Sequence, residues 1–389
     1  MRTTERLLEL VRLFFKLGVV AFGGPAAHIA MMEDEVVRRR GWLTPDHFLD
    51  LVGATNLIPG PNSTEMTMHV GYERAGPAGL VVAGSCFIVP AVLLTAGLAW
   101  LYTRFGTTPE AAPFLSGIKP AVIAVILGAV WRLGGTAVKG WRVTAVGLAV
   151  LAAVLLGVNE VIALLGGGLI GMLWLRLGGG AGAGIRGGDG SPALVWPLWR
   201  GLQERGAGLV AAAGAAAGVS LWKLGLFFLK VGAILYGSGY VLIAFLHGDL
   251  VVDYGWLTDQ QLLDAIAIGQ FTPGPVLSTA TFIGYVVAGG PGAVLATVAI
   301  FLPSFFFVLA LNPVIPKLRS WPWTAAFLDS VNVSALALMV AVTVSLGITV
   351  LTTWSAWAIA LVAAVLTLRF KVNAAWLVIG GAVAGWLLP

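Results

Sequence analysis

Residues 14–61 read FFKLGVVAFGGPAAHIAMMEDEVVRRRGWLTPDHFLDLVGATNLIPGP, and residues 228–275 read FLKVGAILYGSGYVLIAFLHGDLVVDYGWLTDQQLLDAIAIGQFTPGP. A shift of 214 residues superimposes the two without a gap. Lys16 meets Lys230, Gly18 meets Gly232 and Gly23 meets Gly237. The run Gly41-Trp42-Leu43-Thr44 meets Gly255-Trp256-Leu257-Thr258, and Pro59-Gly60-Pro61 meets Pro273-Gly274-Pro275. Apolar coincidences are cheap in so greasy a chain; a shared lysine, a shared GWLT and a shared PGP are not. The chain contains an internal duplication.

Composition sets the solvent. Of 389 residues 58% are hydrophobic and 11% charged, where a soluble domain carries about 25% charged residues. The mean hydropathy is +0.93. These values put the chain in a lipid bilayer. Its net charge of +5 then reports membrane topology and not nucleic-acid binding. The single cysteine, Cys86, excludes an intramolecular disulfide and a multi-cysteine metal site. It lies in an apolar run and reads as packing. No cleavable signal peptide is evident, because the charged N-terminus runs directly into the first repeat.

About 20 apolar residues cross a bilayer core as a helix. The first half offers apolar segments near 7–31, 78–101, 113–133, 141–157 and 160–177. Two shorter pieces, 46–57 and 62–74, flank the first PGP and suit a re-entrant hairpin, which membranes tolerate where protein or a water-filled cavity surrounds it. Residues 177–192 are glycine-rich and read as a flexible linker. The second half repeats the order: 219–246, a hairpin 259–271 and 276–288, then 291–312, 325–350, 354–368 and 373–388. Past the PGP the similarity slips by one residue, so that Gly71-Tyr72 matches Gly284-Tyr285. The expected fold is an all-α polytopic membrane protein. It has a first repeat over 1–176, a Gly/Ala-rich cytoplasmic linker over 177–218 and a second repeat over 219–389. Five crossings per half is an odd number and inverts the second repeat. With the linker inside, Arg38, Arg39, Arg40, Arg74, Lys139, Arg176, Lys223, Lys317, Arg319, Arg369 and Lys371 fall on the cytoplasmic side. Arg2, Arg6, Arg12 and Arg104 fall outside, so the basic N-terminus is the discordant element.

Inverted repeats with interrupted helices are a transporter signature, with sites where the repeats meet. Four interruptions stand out: Phe22-Gly23-Gly24-Pro25, its counterpart Tyr236-Gly237-Ser238-Gly239, and the two PGP turns. A helix that restarts after such a break points free N–H groups and a positive dipole end at the gap, which favours an anion. Asn62 and Ser63 follow the first PGP and either cap the helix or contact an oxyanion. Lys16, Lys230 and Lys119 are candidate counter-charges; equally, they snorkel or sit at helix ends. His28, Glu33, Glu35, Glu65 and Asp249 are candidate proton carriers. The bland reading makes 33–40 a solvated loop with local ion pairs. Trp42 and Trp256 read as interface anchors, and Thr44 and Thr258 as N-caps. No HExxH, GxSxG, P-loop or Cys/His metal spacing occurs, so no metal, cofactor or ATP-driven machinery is expected.

FGGPAAHIAMMEDEV at 22–36, GWL at 41–43, PGPN at 59–62 and the second-half run 255–275 resemble the chromate ion transporter family in its long, two-domain form. The resemblance covers both repeats. It implies a multi-pass carrier of the bacterial inner membrane that exports chromate and confers resistance to it. Sulfate, a tetrahedral divalent oxyanion of similar shape, is the obvious chemical relative. The second copy has Ser238 and Gly239 where the first has Gly24 and Pro25, so the halves need not contribute equally. The residues themselves leave three readings open: a secondary oxyanion transporter, with chromate or sulfate as partner; a membrane-embedded enzyme acting on lipid phosphate; and a passive channel. A homodimer is an open arrangement.

Overall fold

The computed structural model describes residues 3–21, 25–55, 58–106, 112–177, 219–236, 241–312, 322–370 and 372–387. The linker over 178–218 lies outside them. Every regular element among the described residues is helical. The first half runs α1 (Thr3–Val20), α2 (Pro25–Glu33), α3 (Pro45–Thr55), α4 (Asn62–Phe105), α5 (Ala112–Ala137), α6 (Trp141–Leu155) and α7 (Glu160–Leu177). The second runs α8 (Leu221–Ile234), α9 (Leu242–Leu246), α10 (Asp259–Phe271), α11 (Thr279–Leu311), α12 (Pro322–Val350), α13 (Trp354–Phe370) and α14 (Ala374–Leu387). Five stretches are long and apolar enough to cross a membrane: Asn62–Phe105, Pro113–Gly135, Glu160–Leu177, Val276–Ala310 and Pro322–Val350. The apolar helices α6, α13 and α14 are shorter. Large apolar side chains such as Trp131, Ile170, Phe306, Ile348 and Trp376 are exposed on the outside, as lipid contact requires.

Local chemistry explains the helix ends. Pro45 opens α3 behind Thr44, whose Oγ1 accepts from the His47 N–H at 3.3 Å. Thr258 caps α10 in a full capping box with Gln261. The run expected as a solvated loop, Glu33 to Arg40, is helical instead: α2 continues as a π-helix over Asp34–Arg39. Three acids are followed by three arginines at an offset of five, and the pairs Glu33–Arg38, Asp34–Arg39 and Glu35–Arg40 all form. An offset of five matches the π-helical hydrogen-bond step. The second repeat makes the same π-helix over His247–Asp253.

The long helices α4 and α11 are each two helices joined at a sharp turn. Ala75 and Gly76 leave helical geometry, with φ +63° at Gly76, and Ala288 and Gly289 do the same, with φ +64° at Gly289. Thr281 and Thr297 share a 2.7 Å hydrogen bond. In a straight helix residues 16 apart lie about 24 Å from each other, so the arms of α11 fold back side by side. Gly71 against Gly79 and Gly284 against Gly292 let the arms touch backbone to backbone. The piece at 62–74 therefore lies against the arm that follows Gly76.

The halves are laced together reciprocally. A Cβ at Gly381 would stand 2.7 Å from Gly117 O, and one at Gly385 would strike the Gly117 backbone, so α14 packs on α5. The matching helices of the other half, α7 and α12, meet through Gly167 against Ser334 and Gly171 against Ser330. Both α7 and α14 carry glycines four apart, the small-residue spacing that lets membrane helices approach closely. Contacts that repeat with partners exchanged mark a pseudo-twofold axis between the halves. Gly385→Leu should therefore unseat α14 and lower the thermal midpoint, at a cost of about 3 kcal/mol, because backbone cannot yield as a side chain does. Gly380, which faces open space, should accept leucine with little change.

Candidate functional site

In Pro-Gly-Pro the prolines have no N–H, so glycine holds the turn's single donor. Gly60 N–H donates to Leu235 O at 2.6 Å, and Gly274 N–H donates to Ala21 O at 2.9 Å. Leu235 and Ala21 end the helices α8 and α1 at their interruptions. Each PGP thus docks on the broken helix of the other repeat, again with partners exchanged. Gly60 has φ +145° and Gly274 φ +86°, conformations that side chains rarely adopt. The chain Pro59 to Pro61 and its counterpart Pro273 to Pro275 are buried or nearly so.

A hydrogen-bond chain extends from the second crossing. His28, on α2 three residues past Pro25, is 2% exposed. Its Nε2 lies 3.0 Å from Ala21 O, the same carbonyl that accepts from Gly274. A carbonyl only accepts, so Nε2 carries the proton and Nδ1 accepts from the Ser63 hydroxyl at 3.1 Å. Ser63 lies in the first turn of α4, behind Pro61. One network therefore joins the break after α1, the second PGP and the helix start after the first PGP. Gly23, Gly24, Gly237 and Ser238 lie outside the described residues. Asn62 opens α4 half-buried.

The first crossing holds an acid. Glu65 is fully buried, and neither carboxylate oxygen has a hydrogen-bond partner. A Cβ added at Gly60 would strike both Glu65 Oε1 and Ser304 Oγ, so both line that turn. Ser304 Oγ is also buried and lies beside the Glu65 carboxyl without a well-aligned hydrogen bond, and Thr64 Oγ1 is buried without a partner. Tyr236 interacts electrostatically with Glu65. The N-terminal dipole of α4 offsets a carboxylate charge by up to about 2 kcal/mol, less than the several kcal/mol that desolvating one costs.

The matched lysines each bind the matched acid. Lys16 Nζ donates to Glu35 at 2.9 Å, and Lys230 Nζ donates to Asp249 at 2.7 Å. Both pairs span 19 residues, tying the helix before each break to the π-helix after it. Glu33 instead pairs with Arg38 on the surface. The surroundings differ in sign. Glu35 also meets Arg40 at 3.3 Å and Arg39 at 3.8 Å. Among the described residues no arginine pairs with Asp249; Glu160 packs against Gly248 and interacts with Asp249, Asp253 and Lys230. The bond from Lys16 holds the Glu35 carboxyl below the usual carboxylate range, against the opposing effect of burial. A lowered folded-state value contributes stability above the ordinary carboxylate range and loses it as pH falls through that lowered value. Glu35→Gln should therefore flatten the acid limb of a plot of thermal midpoint against pH.

Lys119 is half-buried on α5 and interacts electrostatically with Asp264 of α10. Asp264 is 3% exposed, accepts from the Tyr102 hydroxyl at 2.9 Å and has an unpartnered Oδ1. Sequence reasoning passed over Asp264, although the same 214-residue shift pairs it with Asp50. It also passed over Ser304, whose signal is only its place beside Pro303, the counterpart of Pro90. His69, buried and 3.1 Å from Asn312, gave no pattern at all. Among the described residues no cluster of His, Cys, Asp and Glu is arranged to hold a metal.

The fold and the crossed breaks define a duplicated multi-pass membrane protein whose helices are interrupted where its two repeats meet, the construction of a transporter. The chromate transporter family profile matches residues 8–172 and 222–386. A chromate transport protein of Cupriavidus metallidurans is 31% identical over 97% of this chain and 92% of that protein. One from Pseudomonas aeruginosa is 32% identical over 98% of this chain and 92% of its own length. An uncharacterized transporter of Bacillus subtilis, YwrA, is 30% identical over 34% of this chain and 76% of its own length. No solved structure matches. The chain belongs to the chromate transporter family.

Proposed function

We propose that this chain is a secondary transporter that moves chromate outward across the cell membrane, with sulfate as a competing substrate. The observation that carries the reading is the reciprocal docking of each PGP turn on the other repeat's broken helix. It gathers the starts of α2 and α4, with their positive dipole ends, around one junction between the halves. Such a junction suits a divalent oxyanion. It also links the repeats so that rocking one against the other alters access to the junction. Lys119 sets a positive charge beside Asp264 of α10, while Lys16 and Lys230 act through the ion pairs that tie each broken helix to the π-helix after it. The pseudo-twofold axis lies in the membrane plane, with repeats over 1–176 and 219–389 and a cytoplasmic linker. Related proteins named for chromate transport support the substrate. The test is radiolabelled chromate uptake into everted vesicles, with excess sulfate and with an imposed pH gradient. Saturable uptake that sulfate reduces is the expected result. Uptake no greater than in empty vesicles, with the protein folded, would sink the proposal and return lipid-phosphate chemistry to the front.

A further inference from the structure

We propose that Glu65 is the binding site of a coupling cation, a proton or a sodium ion, taken up once per transport cycle; this deepens the transporter reading and rests on it. The local use of a glutamate at this place is closed. Glu65 stands four residues after the N-cap of α4, one place beyond the position from which a glutamate reaches back to the N-cap N–H. Here the N-cap is Pro61, which has no N–H. The carboxyl instead turns over Gly60, at the point where the first PGP meets the carbonyl of Leu235.

No positive group among the described residues answers it. The stretch after α8 brings Tyr236. Helix α2 brings His28, which is committed to Ala21 and Ser63. Helix α1 brings Lys16, which is bound to Glu35. Helix α11 brings the neutral Ser304. A buried, unpaired carboxylate is among the least tolerated groups in a protein, so the site must take a positive charge from outside. Two fully buried oxygen-bearing side chains, Glu65 and Ser304, meet there over Gly60. One acid and one hydroxyl accept a proton or contribute to the oxygen shell of a hard monovalent cation.

The other crossing lacks all of this. Ser278 takes the place of Glu65, and its hydroxyl is already bonded to Thr95 at 3.2 Å. Ala91 takes the place of Ser304 and borders Gly274. Among the described residues the cation site therefore belongs to the first crossing alone. An ionised Glu65 repels a divalent anion at the same junction, and loading the cation removes that repulsion. Cation and anion thus bind together.

The test uses the purified full-length protein in detergent. Its thermal midpoint is followed as sodium chloride replaces choline chloride, and separately as pH is lowered, for wild type, Glu65→Gln and Ser304→Ala. Wild type should gain stability with one of the two cations. Glu65→Gln, neutral from the start, should lose that shift and melt at or above the unloaded wild type. A shift with sodium at fixed pH identifies sodium, and Ser304→Ala should then weaken the response about tenfold. A shift with pH alone identifies the proton. The proposal is overturned if Glu65→Gln keeps the wild-type response, or if wild type responds to neither cation. Vesicles that carry no oxyanion, from a protein with an intact Glu65-dependent shift, would sink the transport reading alone.

Discussion

Gly60→Ala should abolish both chromate flux and the folded form that a size-exclusion profile reports. Three effects act at once. The φ of +145° is one that alanine rarely adopts, at a cost of about 1–3 kcal/mol. The new Cβ would strike Glu65 Oε1 and Ser304 Oγ, both fully buried, and would displace the carboxyl from the turn. Any backbone shift that relieves the clash draws the Gly60 N–H away from Leu235 O and opens the crossing. Gly41→Ala is the control. Gly41 has φ +58° but faces open space, so only the backbone penalty of about 1–2 kcal/mol applies. That variant should fold and transport.

The two lysines, equivalent by alignment, should not be equivalent by mutation. Lys230→Met leaves Asp249, 6% exposed, beside Glu160 and Asp253 with no cation. Stranding a buried charge costs about 3–5 kcal/mol when both partners are buried. Because the Lys230 side chain is 39% exposed, a loss of about 2–3 kcal/mol is expected. Lys16→Met leaves Glu35 with Arg40 and Arg39, and should cost about 1 kcal/mol or less. Asp249→Asn in the Lys230→Met background should restore most of the lost stability. Restored stability without restored flux would show that Lys230 also serves the anion; equal losses from Lys16→Met and Lys230→Met would contradict the account of their surroundings.

The duplication was legible because glycine, proline and lysine are costly to place in a membrane helix and so mark their positions. The turns at Gly76 and Gly289 sit in AGP and AGGP runs that could have been read the same way. The partners of those residues were less visible. Gly60 bonds the carbonyl of Leu235, and no side chain advertises a backbone acceptor. Lys16 and Glu35 both stood in the aligned stretch, yet only the fold shows that 19 residues and one break bring them together. The π-helix over Asp34–Arg39 was misread as loop because charge density outweighed the offset of five between acids and arginines. Ser304 comes from the opposite repeat, and its meeting with Glu65 depends on how the halves dock.

The crossing of the repeats is tested by the initial rate of radiolabelled chromate uptake into everted vesicles bearing wild type, Gly41→Ala or Gly60→Ala at matched protein amounts. Saturable uptake is expected from the first two and none from the third. Uptake by Gly60→Ala at the wild-type rate would contradict it, because the anion would then pass without the junction that the PGP turn builds.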